Sequence, residues 1–280
     1  MSVRIITDSA SDILREEAEA MDITVLPLKI QFKDVEYLDG YNISHMEFYE
    51  KLIESDELPK TSQLTPYDYE QAFDEVSEDE IIVVTMSSQL SGCFQSASMA
   101  AMGRDNVYVI DSLNIAVAER ILVDVCVRCR DKGMSGKEIF EYVEDKKKRL
   151  KLLAVMDTLE YLKKGGRISS TVAIAGDLLS IKPVVTVIDG AVAVLGRARG
   201  SKNGNNMLMN LINKEGGIDF SLPYGVAYTG ISDALVKKYL KDSEHIYAEH
   251  TDNIPVYTVG SAIGTHIGPG TVAVAFFINE

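Results

Sequence analysis

Short apolar runs alternate with polar turns and helix-period segments through the first half of the chain. Residues 3–7, 24–26, 81–85 and 107–110 are runs of β-branched and aliphatic side chains of strand length. Between them, apolar positions recur every three or four residues, predicting helices over 13–20, 45–54, 66–76, 93–102, 115–132 and 137–150. Ser44 and Ser135 stand at N-cap positions, and Thr65 precedes a proline at N1. Residues 28–37 alternate as exposed strands turning at Lys33-Asp34. Strand, turn and helix repeat four times, the signature of a parallel sheet covered on both faces.

The pattern changes after Leu150. Residues 152–156 are apolar, 159–164 form a short helix stopped by Gly165-Gly166, and 170–179 read as a helix. Two β-branched runs, 184–188 and 191–195, flank Asp189-Gly190, the strongest hairpin signal in the chain. Helices are predicted over 201–213 and 233–241, and strands over 224–229, 245–250, 256–259 and 271–278. A hairpin inside an α/β alternation means a mixed sheet. The expected fold is therefore two-domain α/β. Residues 1–150 make a three-layer α/β/α domain with a parallel sheet, and 151–280 an α/β domain with a mixed sheet.

Composition narrows the function. Of 280 residues, 46% are hydrophobic and 25% charged, which suits a soluble globular chain. A net charge of −14 argues against nucleic acid as a partner and against tight docking on an anionic bilayer. The cations from Lys146 to Arg149 end a predicted helix, where positive charge is favoured anyway. No stretch reaches the length of a membrane span, and the start lacks signal-peptide features. With only three cysteines, these features imply a cytoplasmic location.

Ligands of parallel sheets bind in the loops beyond the carboxyl ends of the strands. Four such segments carry small hydroxyls or acids: Thr7-Asp8-Ser9, Thr61-Ser62-Gln63, the turn from Ser87 to Gly92, and Asp111-Ser112. Ser91 and Gly92 precede a helix whose free N–H groups would face a bound anion. His266 lies in a Gly-rich polar segment, and a hydrolase reading would set it near a serine with Asp8 or Asp111 to orient it. No G-x-S-x-G elbow supports that hydrolase reading. Cys126 and Cys129 continue an apolar helix face and read as core, with no second ligand pair for zinc. Cys93, at a helix start, is placed for a lowered pKa, but a role as a small buried side chain is the better reading. Asp8, Asp12, Asp34 and Asp39 read as turn residues rather than a magnesium site, and Walker and Rossmann motifs are absent. Arg167, after two glycines, can hold a carboxylate, a phosphate or the opposite domain; Arg197 and Arg199 are a second candidate anchor. His45, His245 and His250 read as surface or edge residues.

Six motifs in this order resemble the DegV family of bacterial fatty-acid-binding proteins over essentially the whole chain. They are the segment Ile5 to Asp12, Thr61-Ser62-Gln63, Ser88-Gln89-Leu90-Ser91-Gly92, Leu162 to Ser169, Ile181-Lys182-Pro183 and Gly264 to Gly270. Many members are the acyl-carrying subunit of a fatty acid kinase system. The resemblance implies an acyl chain buried between the domains, its carboxylate held by Thr61 or Ser62 and by Ser91, next to Gly92, with His266 and Arg167 beside the head group. It implies a separate fatty acid kinase that phosphorylates the carboxylate. The acyl phosphate is then carried to an acyltransferase of phospholipid synthesis, with transient membrane contact. The chain itself would have no turnover, cofactor or metal. Burial of about 15 methylenes at ~0.8 kcal/mol each could drive tight binding, while the carboxylate needs several donors. Leu64 stands where the family often has proline, Cys93-Phe94 where Thr-Tyr is common, and Gly200-Ser201 where a threonine usually follows. Such departures bear on acyl preference. The alternatives are a carrier of another lipid or apolar carboxylate without a kinase, or, ranked below it, a serine hydrolase using Ser91 and His266.

Overall fold

The computed structural model describes residues 2–169 and 180–280. The helix expected over 170–179 lies outside the described residues. The first strands are β1 (Val3–Asp8), β2 (Thr24–Leu26), β3 (Lys29–Phe32), β4 (Val35–Leu38), β5 (Lys60–Ser62), β6 (Glu80–Thr85) and β7 (Val107–Asp111). With them come α1 (Arg15–Met21), α2 (His45–Glu54), α3 (Pro66–Asp74), α4 (Cys93–Ala100), α5 (Ala116–Asp131) and α6 (Gly136–Lys146). Four strands form a parallel sheet in the order β2-β1-β6-β7. β6 is buried along its whole length, as a strand covered on both faces must be. The expected caps form: Ser44, Thr65 and Ser135 each make a capping box with the acid at N3.

The later elements are β8 (Leu150–Val155), α7 (Glu160–Lys164), β9 (Ile181–Ile188), β10 (Ala191–Arg199), α8 (Gly200–Lys214), β11 (Gly225–Tyr228), α9 (Ala234–Asp242), α10 (Glu244–Tyr247), β12 (Val256–Thr258), α11 (Ser261–Ile267) and β13 (Val272–Phe277). They build a mixed six-stranded sheet, β10-β9-β8-β13-β11-β12, with the antiparallel hairpin turning at Asp189-Gly190. Alternation on β8 and β13 divides two cores. Leu152, Ala154, Ala273, Ala275 and Phe277 join the core shared with the N-terminal sheet. Leu153, Val155, Val272, Val274 and Phe276 join a second core that includes Leu208 and Ile212 of α8 and Val236 and Tyr239 of α9. Helix α5 packs between the two sheets and is buried almost all round through its first turns, which suits a helix with protein on every side.

Five expectations are corrected. Thr61 and Ser62 lie in a strand, not a loop: β5 pairs with β3 in a three-stranded antiparallel sheet, Thr61 opposite Ile30 and Ser62 opposite Lys29. The helix expected over 13–20 starts at Arg15, because residues 9–11 form a 3₁₀ turn capped by the Asp8 carboxylate. The helix expected to run to 150 ends at Lys146, and Leu150 opens β8. The strand expected over 245–250 is instead α10 and the residues after it, where buried Tyr247 packs on Phe220 and His250 stacks on that ring at 4.0 Å. Finally, His266 sits in the last turn of α11 rather than in a Gly-rich loop.

Candidate ligand-binding site

The loops beyond β1, β6 and β7 are ordered by acids accepting backbone N–H groups. Asp8 takes those of Ala10 and Met86, both at 3.0 Å. Asp111 takes those of Ser88 at 3.2 Å and Leu113 at 2.9 Å. The two acids considered as orienters of His266 are thus committed to the loops themselves. Burial pushes the Asp8 carboxyl up to about 7, against the pull of these two N–H donors.

One cavity of about 170 Å³ is lined by Thr61, Ser62, Ser91, Gly92, Arg167 and His266 together. β5 presents Thr61 and Ser62, and Ser91 lies in the turn after β6. Gly92 is the N-cap of α4, Arg167 follows α7, and α11 carries His266. The imidazole Nε2 lies 2.8 Å from Thr61 Oγ1, a contact that joins the two ends of the chain. His266 Nδ1 is buried without a partner among the described residues. Gly165 makes the approach feasible, because a Cβ there would fall 2.3 Å from Nδ1. Burial, and secondarily the Arg167 guanidinium, pushes His266 down to about 4, so the ring is neutral at pH 7. Arg167 donates from Nε to Leu90 O at 3.2 Å and from a terminal nitrogen to Gly165 O at 2.8 Å. It thereby ties the turn after α7 to the turn after β6. Among the described residues it meets no carboxylate, so a guanidinium with five N–H donors keeps others for an anion.

Ser91 Oγ lies 3.2 Å from Cys93 Sγ. A hydrolase would need His266 on Ser91, yet the imidazole is engaged with Thr61. Burial, and secondarily Asp8, pushes the Cys93 thiol up to about 12, the opposite of the lowering considered from its place at a helix start. Cys126 and Cys129 are buried on α5. Arg197 and Arg199 are exposed on β10 and do not line the cavity. Among the described residues no group of three His, Cys, Asp or Glu is arranged to hold a metal ion. No described helix is long and apolar enough to cross a membrane.

Beside it lies an apolar channel of about 40 Å³, which shares the wall residues Ile115, Leu162, Val192, Ile263 and Ile267 with it. The channel runs past Leu152, Ala154 and Ala273 on the inner face of the six-stranded sheet. On the other side, Thr61, Arg167 and His266 also line a wider vestibule of about 580 Å³. These three polar residues thus stand between an outer opening and an inner apolar space. Residue-type reasoning missed Gln63, whose Nε2 donates to Ser96 Oγ at 3.2 Å and whose side chain lies against Gly92. It also missed the channel, because its lining is indistinguishable in sequence from ordinary core. His45, read as a surface residue, is half-buried and lies 2.8 Å from Thr258 Oγ1 across the domains.

This sequence and fold match a known class. The family model for uncharacterised proteins of the DegV family matches residues 2–279. A DegV domain-containing protein of Caldanaerobacter subterraneus is 32% identical over 285 residues, covering 98% of each chain. The chain belongs to the DegV family. Among solved structures, a DegV family protein of Thermus thermophilus described by its fatty acid binding is 26% identical with a TM-score of 0.88, covering 99% of this chain and 100% of that one. The fatty acid kinase B3 protein of Streptococcus pneumoniae, loaded with linoleic acid, shares the fold at 23% identity and a TM-score of 0.84, covering 100% of both chains.

Proposed function

We propose that this chain binds a long-chain fatty acid, with the carboxylate at the polar end of the cavity and the acyl chain in the apolar channel. The observation that carries the reading is the shared wall of the two spaces: polar side chains gather in one, and mostly aliphatic side chains and alanines line the other. The hydroxyls of Thr61, Ser62 and Ser91, the backbone at Gly92 and the free donors of Arg167 receive the carboxylate. His266, neutral when the site is empty, gains a proton more readily once an anion is beside it. On this reading residues 1–150 supply most of the head-group donors and 151–280 close over the chain.

The same geometry suits a carrier that presents its ligand. The carboxylate lies at the boundary with the vestibule, within reach of a second protein, while the hydrocarbon stays covered. The proposed partner is a separate fatty acid kinase, with the acyl phosphate passed on to an acyltransferase of phospholipid synthesis during transient membrane contact in the cytoplasm. The chain contributes binding and orientation, and turnover belongs to its partners. Native mass spectrometry of the purified protein, with the ligand extracted and identified, tests the binding step. The expected result is one long-chain acid per chain, released only on denaturation. A protein that takes up no such acid when offered a series of chain lengths contradicts the reading.

A further inference from the structure

The segment from Asp8 to Asp12 has no place in the cavity lining, yet its side chains make a chain of buried hydrogen bonds. Ser11 Oγ donates to Asp8 O at 2.9 Å. Ser9 Oγ accepts the Leu28 N–H at 3.0 Å and donates to Asp39 Oδ2 at 2.9 Å. Asp39 and Asp12 then cross to the C-terminal domain. Asp12 Oδ1 accepts the Gly260 N–H at 2.7 Å, and Asp39 Oδ1 accepts the Ser261 N–H at 2.8 Å. The Ser261 hydroxyl also donates to Asp39 Oδ1 at 2.5 Å. All of these groups are buried.

The receiving element is α11, a helix of seven residues whose own N-cap, Gly260, has no side chain. Its first N–H groups would be orphaned in the interior without acceptors from elsewhere. Asp12 and Asp39 supply them through Oδ1, although burial pushes the Asp12 carboxyl well up from the usual carboxylate range. His266 stands in the last turn of the same short helix. A displacement at the N-terminus is therefore transmitted to the imidazole within about 8 Å of helix.

We propose that Asp12 and Asp39 are positioning residues, which clamp the start of α11 to the N-terminal domain and so set His266 against Thr61. Neither touches the cavity that holds the proposed carboxylate; they act through the helix. The role in ligand binding rests on the fatty acid reading, whereas the role in placing the imidazole does not. Gly260 gives a second handle on the clamp. Its φ is ordinary at −73°, but a Cβ there would lie 3.0 Å from Asp39 Oδ1, 3.0 Å from His45 Nε2 and 3.1 Å from Asp12 Oδ1.

The test is histidine NMR across a pH titration, with His266→Gln used to assign the His266 signal among the four histidines. In the unaltered protein the ring should titrate near pH 4. Asp39→Ala and Gly260→Ala should each move that titration upward by at least one pH unit, as the ring leaves its buried place. Fatty acid affinity should fall tenfold or more in the same variants. Asp39→Asn keeps an acceptor oxygen for Ser261 and should restore both readouts. A lowered melting temperature with an unmoved His266 titration, in either folded variant, would reduce the carboxylates to ordinary stabilising groups and overturn the proposal. If the unaltered protein binds no fatty acid, the proposed function fails, while the titration still decides the clamp.

Discussion

The two faces of the six-stranded sheet come from the same strands and alternate residue by residue, yet they serve different ends. The outer face of β8 and β13 carries Leu153, Val155, Val272, Val274 and Phe276, packed against α8 and α9. The inner face carries Leu152, Ala154, Ala273, Ala275 and Phe277. Where the outer face fills its space, the inner face places alanines beside the channel at 154 and 273. The period of two assigns each position a side, and side-chain volume alone then decides whether that side is solid or hollow. The outer face is built for stability, and the inner face leaves room for a guest.

The sharpest break in this comparison comes from the outer face. Phe276→Ala removes a fully buried ring and should cost about 3–5 kcal/mol, seen as a lower urea midpoint. The acid recovered from the folded fraction should be unchanged.

Next in size is the pH dependence of the site loops. Asp8 has a folded pKa of about 7 against an ordinary 3.8, so between those values the folded state keeps a proton that the unfolded chain has lost. Its contribution to stability is thus greatest in acid and falls as pH rises towards 7. His266, at about 4 against an ordinary 6.5, does the reverse: the unfolded chain holds the extra proton, and stability rises between those values. The ceilings are about 4 kcal/mol for Asp8 and about 3 kcal/mol for His266. Urea denaturation at pH 4.5 and pH 7 should show Asp8→Asn gaining stability relative to the unaltered protein as pH rises, whatever constant cost the substitution carries. Parallel profiles would contradict the assignment.

On the inner face, Ala273→Leu fills the channel and should cost at least tenfold in affinity for a long-chain acid, or about 1.4 kcal/mol or more. Shorter acids should be the better ligands of this variant, which competition binding would measure. Unaltered chain-length preference would mean that the acyl chain lies elsewhere. The smallest effect is at the polar end, where Thr61→Val removes one donor while keeping the shape. Its expected cost is about 1 kcal/mol of binding, read by calorimetry, with no change in chain-length preference.

Much of the fold was legible because its signals are local. The strands over 81–85 and 107–110, the caps at Ser44, Thr65 and Ser135, and the Asp189-Gly190 hairpin depend on neighbours in sequence. What was misread depends on distant contacts. Helix α11 looks like a loop because Gly260, Gly264 and Gly268 break its pattern, yet Gly264 is where Phe48 and Tyr49 of α2 press against the helix. β5 has only three residues, too few for alternation to show, and its partner β3 lies thirty residues away. The polar half of the site could be picked out because small hydroxyls, a histidine and an arginine are conspicuous beside glycines. The apolar half could not, since Ala154 and Ala273 differ from core alanines only in what is missing opposite them.

The central claim is that one ligand spans both spaces, head at Thr61 and tail beside Ala154 and Ala273. A crystal structure with a long-chain acid brominated at its terminal carbon tests it most directly. The account predicts an anomalous bromine peak in the channel beside those alanines and a carboxylate within hydrogen-bond distance of Thr61 and Ser91. Bromine in the vestibule, or a carboxylate turned into the channel, would contradict it.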